Sequence, residues 1–286
     1  MAPLVARLVG ASGRLLIVSD FDGTLAEGSR DPAAAVIVPL ARRALRSLAR
    51  DAARRPDRLT VAILTGRAAL DVASRVRVGG IEYLGDHGLQ SGSLPRGARA
   101  TSIEVVHEPG HEASAGAAER FASEVPARLG RPPWLFVERK GPSVAFHVRQ
   151  AEDRAAARAA VEGAIAAVDR ELPGHDLAHY RGRLVVDLRP TSAGGKREAL
   201  LGLLDRSRPA AVLLLGDDVS DADAFAVLRA AREAGSTDGL AVAVTGPHGM
   251  PPEVAAVADT VLPTPFEAAR LLAAVARAIR AERPDS

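Results

Sequence analysis

An apolar run that stops at acidic residues places the strongest constraint on how this chain folds. Residues 15–18 are large and aliphatic, and they lead directly into Ser19-Asp20-Phe21-Asp22-Gly23-Thr24. A short, continuous aliphatic run is typical of a strand buried on both faces within a parallel sheet. Ligands bind at the carboxyl ends of strands in such sheets. The pattern therefore predicts an α/β domain with two carboxylates at its ligand-binding edge.

Two further apolar runs end in residues that can contact a ligand. The predicted strand 59–64 leads into Thr65-Gly66-Arg67, and the strand 80–84 leads into Gly85-Asp86-His87-Gly88. A hydroxyl and free N–H groups at a helix start can bind an oxyanion, although an N-cap threonine is an equally ordinary explanation of Thr65. The glycines beside His87 allow the backbone to approach a ligand, and a histidine hydrogen-bonded within a turn is the alternative.

Composition excludes several classes of protein. The 286 residues, 47% of them hydrophobic and 25% charged, suffice for one large domain or two smaller ones. A net charge of +2 with 3% aromatic residues argues against a nucleic-acid partner. The absence of cysteine excludes thiol chemistry, and we expect neither a signal peptide nor a membrane span in residues 1–13. We expect a cytoplasmic protein that contacts no membrane.

The middle of the chain differs from its two ends. After residue 92 the alternation of strand and helix gives way to predicted helices over 112–129 and 152–172 and a hairpin over 134–149. Alternation resumes after residue 189. This pattern predicts an α+β domain over 93–189, inserted in an α/β domain made of 1–92 and 190–286.

A second acidic cluster and two isolated lysines complete the candidate chemistry. The predicted strand 211–215 leads into Gly216-Asp217-Asp218-Val219-Ser220-Asp221, so acids follow two strands. Mg²⁺ prefers oxygen ligands and shares them with phosphate, whereas a helix N-terminal charge cluster is the alternative for part of this set. Lysine occurs only at Lys140 and Lys196, and arginine supplies the other cations. A compact ammonium suits a single phosphoryl oxygen or carboxylate, although two cases also permit chance.

Taken together, these motifs resemble those of the haloacid dehalogenase (HAD) superfamily of phosphotransferases. The matching residues are Asp20-Phe21-Asp22-Gly23-Thr24, Thr65, Lys196 and Gly216-Asp217-Asp218-x-x-Asp221. Over nearly the whole chain, further segments are similar to trehalose-6-phosphate phosphatases, namely Leu64-Thr65-Gly66-Arg67, Gly85-Asp86-His87-Gly88, Glu138-Arg139-Lys140, His147-Val148-Arg149 and Asp187-Leu188-Arg189-Pro190. The resemblance implies a Rossmann-like HAD core with a parallel sheet and an inserted α+β cap domain of type C2B.

The resemblance also implies a reaction, the Mg²⁺-dependent hydrolysis of trehalose 6-phosphate to trehalose and phosphate through an aspartyl-phosphate. Asp20 would be the nucleophile and Asp22 the acid and base, while Thr65 and Lys196 would hold the phosphoryl oxygens. The implied magnesium ligands are Asp20, the carbonyl of Asp22, and Asp217, supported by Asp218 or Asp221.

Recognition of the sugar is assigned to the cap by the same resemblance. The implied substrate-binding residues are Gly23, Arg67, His87, Glu138, Lys140, Arg149 and Asp187. Asp187 is one methylene shorter than the glutamate usual in the family, so a related disaccharide or pseudo-disaccharide phosphate is the alternative substrate. The alternative role is that of a catalytically silent sugar-phosphate-binding regulator or a regulatory partner of a synthase. Both are disfavoured because all the motif acids are present. A functional pairing of the phosphatase with a sugar-phosphate synthase stays open.

Overall fold

The computed structural model describes residues 2–27, 34–182, 184–246 and 249–281. Those residues form two compact units. The larger unit combines Ala35–Val106 with the described parts of Met1–Gly28 and Gly194–Ser286, and the smaller unit is built on His107–Ala193. The smaller unit is therefore an insertion in the sequence of the larger one.

The strands and helices are numbered along the chain. The strands are β1 (Leu15–Ser19), β2 (Leu59–Leu64), β3 (Glu82–Gly85), β4 (Gln90–Ser93), β5 (Glu104–His107), β6 (Phe136–Arg139), β7 (Val144–His147), β8 (Leu177–Arg181), β9 (Val185–Pro190), β10 (Ala211–Gly216), β11 (Asp238–Val244) and β12 (Thr260–Leu262). The helices are α1 (Ala2–Val9), α2 (Pro39–Arg54), α3 (Ala69–Val76), α4 (Glu112–Arg128), α5 (Arg154–Glu171), α6 (Lys196–Ser207), α7 (Val219–Glu233), α8 (Pro252–Ala255) and α9 (Pro265–Ala281).

The larger unit contains a mainly parallel sheet with strand β1 near its centre. The strand order among the described residues is β12-β11-β10-β1-β2-β3-β4-β5. Strand β1 pairs in parallel with β10 on one side and with β2 on the other, whereas β4 runs antiparallel to β3. The chain therefore leaves β1 toward one side of the sheet and later returns to the other side, which is the arrangement that opens a ligand crevice at the carboxyl ends of the strands.

Burial explains why the aliphatic run forms the central strand. Every residue of β1 is buried, and alternate side chains point to opposite faces of the sheet. Leu15 and Ile17 pack in a hydrophobic cluster with residues of α2 and α9, whereas Leu16 and Val18 pack with residues of α6 and α7. Burial of each such side chain contributes about 1.5–3 kcal/mol. Helices thus cover both faces and leave the strand ends for chemistry.

The smaller unit has its own antiparallel sheet and core. Its strands lie in the order β6-β7-β9-β8. Phe146 and Val186 face a core formed with Phe121 of α4 and Ile165 of α5. The register places Glu138, Ala145, Asp187 and Tyr180 in one row across the sheet, on the face opposite to that core.

The two ends of the insertion lie beside each other within the smaller unit. The Ser192 hydroxyl lies 3.4 Å from Nδ1 of His111, and the N–H of Thr191 donates to the carbonyl of Asp176 at 2.6 Å. His111 precedes α4 and Ser192 follows β9. The segment that enters the insertion and the segment that leaves it are therefore in contact.

The structure confirms the predicted fold class, an α/β domain with an inserted antiparallel sheet, and differs in detail. Strands β4 and β5 continue the larger sheet past residue 92, where the sequence pattern places the domain boundary. Helix α3 begins at Ala69, so Thr65 is not its N-cap. In the described ranges, the helices all fall short of the length and apolarity that crossing a membrane requires.

Candidate active site

Three adjacent strands of the larger unit deliver candidate residues to one edge of the sheet. Asp20 directly follows β1, Thr65 directly follows β2, and Asp217 directly follows β10. Because these strands are parallel neighbours, their carboxyl ends lie side by side. Residues that are almost 200 positions apart in sequence are brought together in this way.

Three carboxylates and one ammonium form the centre of this edge. Oxygen atoms of Asp20, Asp217 and Asp221 all lie within 4.8 Å of one another. The Nζ atom of Lys196 lies 2.9 Å from Oδ1 of Asp20 and 2.8 Å from Oδ1 of Asp221. Lys196 is the first residue of α6, and only 3% of its surface is exposed. A buried ammonium thus contacts Asp20, which follows β1, and Asp221, which lies in the first turn of α7.

The cluster carries more negative charge than Lys196 neutralises. Burial raises the pKa of Asp20 to about 7, against the opposing effect of Lys196 and with further contributions from Asp221 and Asp22. Burial also raises the pKa of Asp217 well above its usual range, and the charges of Asp20 and Asp221 add to the effect. Burial alone would lower the pKa of Lys196, but the same two aspartates raise it. The lysine therefore stays protonated, but its single positive charge does not balance the three neighbouring carboxylates.

The loop after β10, which carries Asp217, Asp218 and Asp221, is stabilised by hydrogen bonds from its own N–H groups to its acidic side chains. Oδ2 of Asp221 accepts hydrogen bonds from the N–H groups of Asp217 and Asp218, both at 3.1 Å. The side chain of Asp218 accepts from the N–H of Val219 at 2.8 Å and caps α7. The Thr24 hydroxyl donates to Oδ1 of Asp217 at 3.0 Å. These bonds orient Asp217 and Asp221 toward the cluster, whereas the hydrogen bond of Asp218 belongs to the helix end.

The residues present fit a hard divalent cation. The donors are carboxylate oxygens, which such cations prefer, and the excess negative charge of the cluster matches a positive ligand. Gly23 adopts a φ of +75°, and a Cβ atom at this position would lie 2.1 Å from Oδ2 of Asp217. Glycine at position 23 thus keeps the side of Asp217 free of a neighbouring side chain.

Asp22 points to a different partner. Arg67 binds both of its oxygens, with Nε at 2.6 Å from Oδ2 and Nη2 at 2.8 Å from Oδ1. The third contact of this guanidinium is with Oδ2 of Asp71, 2.8 Å from Nη1. Burial disfavours the charged guanidinium, but the bonds to the two aspartates outweigh it and raise the pKa of Arg67. The second acid of the motif is therefore held outside the carboxylate cluster.

The loops after β2 and β3 are joined through the backbone. The N–H of His87 donates to the carbonyl of Thr65 at 2.9 Å, and that of Asp86 donates to the carbonyl of Arg67 at 2.7 Å. Asp86 and His87 both have positive φ, at 49° and 58°. A Cβ atom on Gly66 would lie 2.8 Å from Nε2 of His87. The imidazole therefore lies directly against the loop that carries Thr65.

Candidate sugar-binding residues of the smaller unit form two polar pairs. Lys140 is 4% exposed, and its Nζ lies 3.1 Å from Oδ1 of Asp187. Glu138 lies 3.1 Å from Nε2 of His147 through its Oε2. Arg149 is partly buried, two residues beyond the end of β7. The unit thus presents two carboxylates and one ammonium at positions where the sequence predicts contacts with a sugar.

Two residues that sequence reasoning did not assign to the site contact residues that it did assign. Asp71 binds Arg67, and His147 binds Glu138. The spacing of Arg67, Asp71 and Arg75 at intervals of four is a signal that could have revealed the first contact.

Comparison with protein families identifies the group to which these residues belong. Residues 18–248, which include the end of β1, the smaller unit and the loop after β10, match the profile described as Trehalose-phosphatase. The chain belongs to the trehalose-phosphatase family.

Relatives of known name agree with this family assignment. A trehalose-phosphate phosphatase of Mycobacterium tuberculosis (strain ATCC 25618 / H37Rv) is 35% identical over 239 residues, which are 81% of this chain and 51% of the relative. The chain thus spans about half the length of the curated relatives that it matches.

Solved structures show the same fold. The C-terminal domain of C. albicans trehalose-6-phosphate phosphatase has a TM-score of 0.72 at 22% identity, with 96% of each chain covered. A haloacid dehalogenase-like hydrolase from Bacteroides thetaiotaomicron has a TM-score of 0.57 at 16% identity, with 93% of this chain and 98% of that one covered. The α/β core with its inserted sheet is therefore the fold of HAD hydrolases.

Proposed function

We propose that this chain is a Mg²⁺-dependent phosphatase that hydrolyses trehalose 6-phosphate to trehalose and phosphate. The observation that carries the proposal is the buried contact of Asp20 with Lys196, at 2.9 Å within a cluster of three carboxylates. Family membership and the names of the 35%-identical relatives supply the substrate. Within the cluster Asp20 supplies a nucleophile, and the Lys196 ammonium supplies positive charge for the phosphoryl oxygens.

In the first step, an oxygen of Asp20 attacks the phosphorus atom. A bond forms between that oxygen and phosphorus, and the bond from phosphorus to the sugar oxygen breaks. Asp22 gives its proton to the departing sugar oxygen, which would otherwise leave as an unstable alkoxide. Lys196 and Thr65 stabilise the negative charge on the non-bridging oxygens.

In the second step, water attacks the phosphorus of the aspartyl-phosphate. Asp22 takes a proton from the attacking water, and the bond between phosphorus and the Asp20 oxygen breaks. Inorganic phosphate leaves and the Asp20 carboxylate is restored. A single acid and base thus serves both steps, which accounts for the need to orient Asp22 separately from the cluster.

Mg²⁺ would be held by Asp20, by the main-chain carbonyl of Asp22 and by Asp217. Asp221, whose oxygens lie in the carboxylate cluster, is the better supporting residue, because Asp218 caps α7. When bound, the cation supplies positive charge near the phosphoryl oxygens and offsets the repulsion between phosphate and the acids.

The sugar would be bound by residues of the smaller unit, namely Glu138, Lys140, Arg149 and Asp187. In the larger unit, Gly23, Arg67 and His87 are the other expected substrate-binding residues. Carboxylates and an ammonium suit a sugar because they accept from and donate to its hydroxyl groups. Asp187 already lies 3.1 Å from Lys140, so this pair would present its remaining donors and acceptors as one unit.

Phosphate release from trehalose 6-phosphate and a panel of other sugar phosphates, measured with Mg²⁺, tests the proposal. We expect hydrolysis of trehalose 6-phosphate to exceed that of the other sugars, and Asp20→Asn to abolish release because the nucleophilic oxygen is lost. A parent protein inactive on the whole panel would contradict phosphatase function. Faster turnover of a related disaccharide phosphate would overturn the choice of sugar alone.

A further inference from the structure

Arg67 lies between two carboxylates that face it from different elements. Its Nε and Nη2 atoms hold both oxygens of Asp22, and its Nη1 atom holds Oδ2 of Asp71. The Arg67 side chain is 10% exposed, whereas that of Asp22 is 39% exposed. The guanidinium is thus an interior clamp on an acid that substrate can reach.

Asp71 is itself held by a packed helix and by a second arginine. It lies in the first turn of α3, whose Val72 and Val76 are fully buried. The same oxygen that accepts from Arg67 also accepts from Nε of Arg75 at 2.8 Å. Nη1 of Arg75 in turn donates to the carbonyl of Ala35 at 3.0 Å. Asp71 and Arg75 therefore connect the Arg67 guanidinium to helix α3 and to the backbone at Ala35.

We propose that Asp71 is a positioning residue for the acid and base of the reaction, acting on Asp22 through Arg67. The inference rests on the proposed function, because it assumes that Asp22 transfers protons. Asp71 neither touches the carboxylate cluster in any described hydrogen bond nor belongs to the motifs that carry the family resemblance.

Geometry gives Asp71 this role. Two parallel hydrogen bonds from one guanidinium fix the plane of the Asp22 carboxylate as well as its distance. An arginine side chain has several rotatable bonds, so it can orient a partner only when its own far end is held. Asp71 holds that far end. Without this contact, Asp22 would sample orientations in which neither oxygen faces the leaving group.

A purely structural role for Asp71 is the competing explanation, since a carboxylate between arginines at i−4 and i+4 is an ordinary helix feature. The chain offers a matched case in Glu124 of α4. Glu124 accepts from Arg120 at 2.8 Å and from Arg128 at 3.0 Å. Its side chain is 31% exposed, against 32% for Asp71. Glu124 lies in the smaller unit and has no described contact with a proposed acid, so it serves as the control.

Two substrates with different leaving groups distinguish the loss of a positioned acid from a general loss of activity. An alkyl phosphate needs protonation of its departing oxygen, whereas 4-nitrophenolate leaves without it. We expect Asp71→Asn to lower kcat/KM on the preferred sugar phosphate by on the order of 10-fold or more. The value on 4-nitrophenyl phosphate should change by less than about twofold. Glu124→Gln should change neither value.

Two further variants guard against a simple loss of folding. Arg75→Gln removes only the contact behind Asp71, and it should give a smaller loss with the same preference for the sugar phosphate. Asp71→Glu, which keeps the carboxylate, should recover part of the lost rate. Equal losses on both substrates, or a selective loss in Glu124→Gln, would overturn the inference while leaving the phosphatase proposal intact. A parent protein without activity on any phosphate ester would overturn both.

Discussion

The two lysines of the chain occupy different kinds of site, one in each unit. Both are buried, at 3% exposure for Lys196 and 4% for Lys140, and both lie about 3 Å from an aspartate. Lys196 joins two members of a cluster of three carboxylates at the edge of a parallel sheet. Lys140 contacts Asp187 beside an antiparallel sheet. The ammonium of Lys196 thus contacts two acids of a larger cluster, whereas that of Lys140 contacts Asp187.

This difference separates the reaction from recognition of the substrate. The cluster at Lys196 has an excess of negative charge, which favours binding of a further cation. That cation and the Lys196 ammonium would together stabilise the charge of a phosphoryl group. The pair at Lys140 contributes oriented polar groups instead. We therefore expect changes at Lys196 to affect every phosphate ester, and changes at Lys140 to affect only esters that carry a sugar.

The largest effect is expected from Lys196→Arg. A broad guanidinium cannot reproduce both contacts of a compact ammonium in a buried space, so kcat should fall by about 100- to 1,000-fold on every substrate. Steady-state assays on trehalose 6-phosphate and 4-nitrophenyl phosphate would check this expectation. Lys140→Arg provides the matched control, and its rate on 4-nitrophenyl phosphate should stay near that of the parent.

A smaller and more selective effect is expected from Lys140→Ala. Loss of a charged hydrogen bond to a sugar hydroxyl should lower kcat/KM on trehalose 6-phosphate by about 10- to 100-fold. A small generic phosphoester should be hydrolysed as before, because it lacks the groups that Lys140 would bind. The ratio of the two rates is the measurement. If both rates fall equally, Lys140 does not act in recognition of the sugar alone.

Binding of Mg²⁺ sharpens the comparison without an activity assay. A cation that binds the folded state stabilises it, so saturating Mg²⁺ should raise the Tm of the parent by about 5 °C. Asp217→Asn should remove most of this shift because it removes a proposed ligand, whereas Lys140→Ala should retain it. Differential scanning fluorimetry with and without Mg²⁺ measures the shift. A shift of equal size in Asp217→Asn would place the cation elsewhere.

The smallest effect is expected from Asp187→Glu, which restores the residue usual in the family. The longer side chain can still reach Lys140, and it extends the carboxylate by one methylene. We expect KM for trehalose 6-phosphate to change by about two- to fivefold, with kcat nearly unchanged, because uniform binding alters KM alone. Kinetics on the sugar-phosphate panel would show whether the preferred sugar changes. A large fall in kcat would show that position 187 acts on the reaction itself.

Much of the larger unit could be predicted because its signals are local. The strands before Asp20 and Asp217 are both wholly buried, and they are aliphatic apart from their last residue. Burial on both faces selects apolar residues, so the first acid marks the end of each strand. The proximity of Asp20 and Asp217 follows from the parallel pairing of these strands.

Other elements could not be predicted because tertiary pairing determines them. Strand β4 reads Gln-Ser-Gly-Ser and has no aliphatic side chain, yet it pairs with β3. Strand β8 mixes His179, Tyr180 and Arg181 with apolar residues and forms the edge of the smaller sheet. The contact of Arg67 with Asp22 was equally hidden, because a guanidinium can pair with any nearby acid. Its predicted role in substrate binding stays a prediction.

The contact between His111 and Ser192 bears on how enzymes of this kind can diversify. Because the insertion starts and finishes at touching segments, its removal or replacement leaves only a short gap to bridge in the host fold. The entropy of closing such a gap depends weakly on the length of what is inserted. We therefore expect that insertions of other lengths are tolerated at this point of the chain with little change in the free energy of folding.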